Sequence, residues 1–287
     1  MNLPGPGSEK GAARRLFALA ALLLALCCGC SRENGGPAAS TFNQAREAYL
    51  AGDFARGRQL YGAYLKSGQA SSASSAGSAG SAGSTERTAA NREEAFRRLA
   101  LISGLSGGGQ AGTVEVLEAA IGDFAEDREK LAVFMPELAR VLESERKFAQ
   151  AAEILARYAE LDGLPPADRA GGLLGLAKDY RRLKKLPQAK QTLARCLAIT
   201  PPTGRENACN AELALIAGME NNWAEAAKVL EKLVAADQRQ VAENLFDLAE
   251  AYENIDRKND AQRIYKELLP SYPNRIALAV RLDQPGR

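Results

Sequence analysis

Five cysteines and a complete absence of histidine limit the chemistry open to this chain. Histidine is the usual general base near neutral pH and the commonest metal ligand, so ordinary hydrolytic and zinc-dependent mechanisms lose their main component. Cys27-x-x-Cys30 has the spacing of a redox or zinc pair, but no second pair accompanies it. Cys196 and Cys209 stand alone in the body of the chain, equally far from the Pro201-Pro202-Thr203-Gly204 turn. Across an antiparallel helix pair that places them level. They read either as a disulfide in an oxidising compartment or as buried small residues. Gly107-Gly108-Gly109-Gln110-Ala111-Gly112 fits G-x-G-x-x-G and leads into a helix, as a phosphate cradle should. A helix rather than a strand precedes it, and Thr113 stands where a P-loop needs lysine, so it reads as a loop between helices. No catalytic residue, metal ligand or cofactor is expected. An enzyme using carboxylates or Cys196 and Cys209 is the competing class.

Charge excludes another class of partner. The 287 residues hold 37 Lys and Arg against 35 Asp and Glu, a net +2, and without the first 29 residues the count is 34 against 34. A neutral body offers no electrostatic footprint for nucleic acid.

The N-terminus has the three-part layout of a secretory signal: Lys10, Arg14 and Arg15, an apolar run from Leu16 to Leu26, then small residues before Cys30. The apolar run is shorter than the roughly 20 residues needed to span a bilayer. Leu26-Cys27-Cys28-Gly29-Cys30 resembles the bacterial lipoprotein signal, which implies cleavage before Cys30, lipid on Cys30 and a stable membrane anchor. An ordinary secretory signal, with the mature chain free in the periplasm, is the other reading. Ser31 resembles the residue that sends lipoproteins to the outer membrane. Arg14-Arg15-Leu16-Phe17 resembles a twin-arginine signal, or is simply leader charge.

The elements behind these residues are helical. Val241 to Pro273 places Leu245, Leu248, Ala249 and Tyr252 at helical spacing, then Ala261, Ile264, Tyr265, Leu268 and Leu269 after a short polar turn. Leu248, Ala249, Tyr252, Ala261, Tyr265 and Pro273 resemble the tetratricopeptide repeat. Earlier copies carry Leu138, Ala139, Leu142, Phe148, Ala151 and Tyr158; Leu176, Ala177, Tyr180, Leu186, Ala189 and Cys196; and Leu213, Ala214, Ala217, Trp223, Ala226 and Leu233. The alanines Ala151, Ala189, Ala226 and Ala261 recur at 38, 37 and 35 residues. Short side chains let helices approach, so Ala226 marks a crossing, and Trp223 and Phe54 are expected in the core. The resemblance implies an all-α fold: a right-handed superhelix, or α-solenoid, of about six helical hairpins with a C-terminal capping helix.

The organisation follows as a signal peptide over 1–29, a tether over 30–40 and a first hairpin over 41–66, with Gly52-Asp53-Phe54 at its turn. A Ser/Gly/Ala-rich flexible insertion is expected over 67–90, the repeat solenoid over 91–282 with Asn91 and Glu94 as an opening capping box, and a loose tail over 283–287. The family binds partners on the face lined by the first helix of each hairpin. By register that face presents Val133, Pro136, Arg140 and Glu143; Leu174, Lys178, Arg181 and Arg182; Ala211, Leu215, Gly218 and Met219; and Glu243, Phe246, Glu250 and Glu253. It runs from basic through apolar to acidic, as a groove for a polar peptide or helix would, or else these charges are a solvated helix face. The family's carboxylate clamp needs asparagines where Arg140, Lys178, Leu215 and Glu250 stand, so that activity is not implied. The resemblance implies a lipid-anchored scaffold in the bacterial envelope, on the outer membrane facing the periplasm, holding envelope proteins through peptide or helical segments. Outer-membrane protein assembly is the first expectation, and an adaptor for peptidoglycan-modifying, pilus or polysaccharide-export machinery the alternative.

Overall fold

A computed structural model describes residues 37–74, 82–105, 109–199, 204–236 and 241–283. The leader with Cys30, residues 31–36 of the tether and the final four residues lie outside that set. Among the described residues there are thirteen helices and no strand. They are α1 (Pro37–Leu50), α2 (Phe54–Ser74), α3 (Ala82–Leu105), α4 (Gly109–Asp123), α5 (Arg128–Ser144), α6 (Phe148–Ala159), α7 (Pro166–Arg182), α8 (Leu186–Leu197), α9 (Glu206–Met219), α10 (Trp223–Ala236), α11 (Val241–Asn254), α12 (Lys258–Leu268) and α13 (Arg275–Asp283). Consecutive helices pair as six hairpins, each with a first (A) and second (B) helix, and α13 follows the last of them.

Several boundaries differ from expectation. Helix extends into the stretch 67–90 from both sides, because α2 runs to Ser74 and α3 begins at Ala82, leaving 75–81 outside the described residues. Alanine, glutamate and arginine on the approach to residue 91 are strong helix formers, which is why α3 starts nine residues early. Asn91 and Glu94 therefore lie inside α3 and cap nothing. At the other end α13 includes Asp283, which was expected in the tail.

The chain divides after Ala95 into two compact units. In the first, Phe42 sits between Tyr61 and Tyr64 with ring centroids 6.1 and 5.2 Å away, over the buried small residues Ala45, Ala48 and Gly57. Arg46 and Glu94 approach to 3.8 Å at its surface.

The second unit runs from Phe96. Phe96, Phe124 and Phe134 knit α3, α4 and α5 together, with ring centroids 5.8 to 6.3 Å apart. Beyond them the hairpins repeat one turn. Three residues join A to B, and the middle one takes a left-handed backbone: Arg146, Lys184, Asn221 and Asp256, with φ between 59 and 63°. The N–H of the following residue returns to the A helix five residues back, as in Lys147 to Leu142 (2.9 Å) and Lys185 to Tyr180 (2.8 Å). This closure satisfies carbonyls that a helix end leaves open. Gly52 closes the first unit's hairpin in the same way. Five residues after each closure comes the B-helix small residue, and Ala151, Ala189, Ala226 and Ala261 are all 0 or 1% exposed.

Hairpins stack because glycine leaves room for the preceding B helix. The Tyr158 ring of α6 lies against Gly172 of α7, where an added Cβ would meet its Cδ1 at 2.6 Å. Leu155 fills the space over Gly175, one turn on. Two apolar clusters result, one around Leu173, Ala177, Leu193 and Ile216 and one around Leu230, Leu248, Tyr265 and Leu278. Trp223 and Phe54, expected in the core, are only half-buried at its edge, because each opens a B helix beside the turn.

Candidate partner-binding face

The A-helix positions do not form one continuous charged strip. Arg140 is exposed and Lys178 half-buried. Arg181 is turned inward, donating through Nε to Glu212 Oε1 of α9, a carboxylate only 4% exposed. It ties two A helices together rather than facing solvent. Arg182 donates to the buried Asp179 at 3.0 Å, and its guanidinium lies 4.9 Å above the Phe148 ring. Leu174 is buried, and Gly218 is covered by the Trp223 indole. Arg181 and Arg182 of the basic end are thus engaged within the chain, whereas Arg140 faces solvent.

The acidic end is engaged too. Arg281 of α13 reaches back with its two amino groups, one to Glu250 at 2.9 Å and the other to Glu253 at 2.8 Å. The Tyr265 hydroxyl donates to the same Glu253 oxygen at 3.1 Å, and burial followed by the Glu253 charge raises that phenol. Phe246 is half-buried and stacks on Tyr272 at 5.2 Å. These residues close the last hairpin under α13.

What stays open lies between. Leu215 is 39% and Met219 38% exposed, one helical turn apart on α9. They border a hollow of about 210 Å³ whose other walls are Trp223, Ala226 and Leu230 of α10 and Asp247, Glu250 and Ala251 of α11. Gly218 makes the hollow possible, since a Cβ there would meet the indole at 2.9 Å. Asp247 is half-buried, and its carboxyl is pushed up to about 6 by burial, then by the charges of Glu250 and Glu243. Asp247 was not among the residues singled out from the sequence, although Glu243, Asp247 and Glu250 form an acid stripe at helical spacing.

Cys196 of α8 and Cys209 of α9 are joined as a disulfide, with Cα atoms 6.8 Å apart. Both are buried. Gly109 to Gly112 lie in the first turn of α4, while residues 106–108 are outside the described set. The Thr113 hydroxyl donates to the Ala100 carbonyl at 3.4 Å, a helix contact that leaves it no role at a phosphate. A broader hollow at the turns after α4 and α6 is lined by Phe124 and Leu164, and Arg128 and Asp162 meet at 3.1 Å on its rim. Among the described residues no group of three or more His, Cys, Asp or Glu could hold a metal ion, and no helix is long and apolar enough to cross a membrane.

Comparison with known proteins finds a family model for one hairpin and a likeness of fold for the rest. Residues 243–275 match the family model described as Tetratricopeptide repeat. A structure of pilF from Pseudomonas aeruginosa superimposes with a TM-score of 0.53 at 14% identity, covering 86% of this chain and 97% of that one. A MamA protein superimposes with a TM-score of 0.50 at 14% identity, covering 64% of this chain and 94% of the other. At these identities the likeness is one of fold. A search of curated proteins finds no significant match.

Proposed function

We propose that this chain, a solenoid of helical hairpins whose residues 243–275 match the Tetratricopeptide repeat model, is a lipid-anchored scaffold of the bacterial envelope that holds other proteins. Its partners are proteins presenting peptide or helical segments to the A-helix face of the second unit. One observation carries the site: Leu215 and Met219 stand exposed side by side on an A helix, over a hollow lined, among the described residues, by α9, α10 and α11 alone. Apolar side chains left in water beside a hollow gain from a docking segment that covers them.

The anchor rests on the leader, where Leu26-Cys27-Cys28-Gly29-Cys30 resembles a lipoprotein signal and Ser31 favours the outer membrane. A role in outer-membrane protein assembly is the finer form of the proposal. Two measurements test it. A photo-crosslinking residue at Met219 should give discrete adducts in intact cells, and one at the exposed B-helix position Glu267 should not. Radiolabelled palmitate should mark the wild-type chain in membranes and fail to mark Cys30→Ala. Identical adducts from both positions would remove the groove, and an unlabelled wild-type chain would remove the anchor.

A further inference from the structure

The hollow under Leu215 and Met219 is too small for a separate ligand. Its volume of about 210 Å³ falls below the roughly 300–1,000 Å³ typical of small-molecule sites, and fits one side chain of a larger partner. The walls from α9 and α10 are apolar: Leu215, Met219, Trp223, Ala226 and Leu230. All the charge comes from α11 and is negative, with Asp247 and Glu250 on the wall and Glu243 a turn away. The Tyr272 phenol completes the surroundings of Asp247, and Arg281 of α13 meets only Glu250 and Glu253.

The two acids of the wall are in different states. Glu250 already holds the Arg281 guanidinium at 2.9 Å. Asp247 has no cation or hydrogen-bond donor among the described residues, and burial first, then the like charges of Glu250 and Glu243, work against its ionisation. A carboxylate in that setting gains from any cation that arrives on an apolar stem, because the stem covers the hydrocarbon wall while the charge replaces lost water.

Resting on the groove reading above, we propose that this hollow is a socket for a lysine or arginine of the partner segment, with the stem lying on Leu215, Met219 and Trp223 and the cation on Asp247. The partner therefore carries a basic residue next to an apolar one, which packs on the exposed edge of Leu215.

The test begins from a random dodecapeptide display library selected against the purified full chain. Wild-type selection should enrich Lys or Arg beside an apolar residue, Asp247→Asn should abolish the enrichment, and Asp247→Lys should turn it toward Asp or Glu. Trp223 is the only tryptophan, so its emission titrates the best peptide directly. Replacing the peptide's Lys by norleucine, or Asp247 by Asn, should weaken binding about tenfold or more, an effect of about 1.4 kcal/mol. Wild-type affinity should fall between pH 7 and 5 as Asp247 protonates, and Asp247→Asn should be flat there. Unaltered helical CD and melting confirm that each variant is folded. Enrichment of acidic or uncharged peptides, or basic enrichment that survives Asp247→Asn, overturns the socket and leaves the groove standing. Failure to enrich any peptide on the wild type overturns both.

Discussion

Two adjacent glycines on α7 provide a controlled experiment on how the hairpins stack. Gly171 and Gly172 are both interior to the helix, so replacing either with alanine should gain about 1 kcal/mol from helix propensity. Only their surroundings differ. A Cβ at Gly171 meets Arg205 at 3.9 Å, an ordinary contact, whereas one at Gly172 meets Tyr158 Cδ1 at 2.6 Å and Cε1 at 3.0 Å. The ring is nearly buried and would have to retreat by about 1 Å to restore normal carbon separations. Overpacking of this kind costs about 1–3 kcal/mol. Gly171→Ala should therefore stabilise by about 1 kcal/mol, and Gly172→Ala should range from neutral to about 2 kcal/mol destabilising. Urea unfolding followed by far-UV circular dichroism measures both. In a Tyr158→Ala background the clash disappears, and Gly172→Ala should become stabilising. If Gly172→Ala matches Gly171→Ala to within about 0.3 kcal/mol in the wild-type background, the tyrosine does not pack there and the stacking described is wrong.

Other perturbations test separate parts of the fold. Glu212→Ala strands the half-buried Arg181 and should cost about 3 kcal/mol, the low end for a broken buried pair because Arg181 keeps some exposure; Arg181→Met combined with Glu212→Leu should recover most of it in the same unfolding assay. Asp179 is buried and its carboxyl is raised from 3.8 to about 6, by burial first and then by Glu143, against the pull of Arg182. Being raised, it favours the fold fully below pH 3.8, and that contribution is lost as pH climbs through about 6, a difference of about 3 kcal/mol. Asp179→Asn should therefore be the more stable protein at pH 7, with its advantage shrinking toward pH 4; an advantage independent of pH refutes the assignment. Lys184→Gly places glycine at a left-handed turn residue and should stabilise by about 1 kcal/mol in thermal or urea unfolding. Unreduced, denatured protein should show no free thiol from Cys196 or Cys209, and their joint replacement by serine should cost about 3 kcal/mol.

The helices and their register were legible because the core side chains repeat in kind: alanine at 151, 189, 226 and 261, with a large apolar residue four beyond. The turns were less so. Their left-handed residue is glycine at 52, but in the four hairpins from α5 onward arginine, lysine, asparagine and aspartate take it, so no glycine signals those closures. Helix at the edges of the 67–90 stretch was not legible because alanine serves disordered and helical segments equally well. The face was the hardest part. Sequence spacing puts Arg181, Glu250 and Glu253 on the A-helix surface, but not that Glu212 and Arg281, 31 and 28 or more residues away, would claim them. Asp247 falls outside the register Glu243, Phe246, Glu250 and Glu253, and only the packing of α9 and α10 beside α11 shows it half-buried on the hollow.

The joint between the fourth and fifth hairpins is fastened three times: by the Cys196–Cys209 bond, by Arg181 to Glu212, and by Lys190 to Glu220 at 2.8 Å. A stack of stiff pieces yields first at its loosest seam, and this seam is not that one. A covalent tie thus holds α8 to α9 whatever occupies the hollow beneath Met219, whereas α13 is held on α11 by the part-exposed pairs of Arg281, contacts that open far more readily.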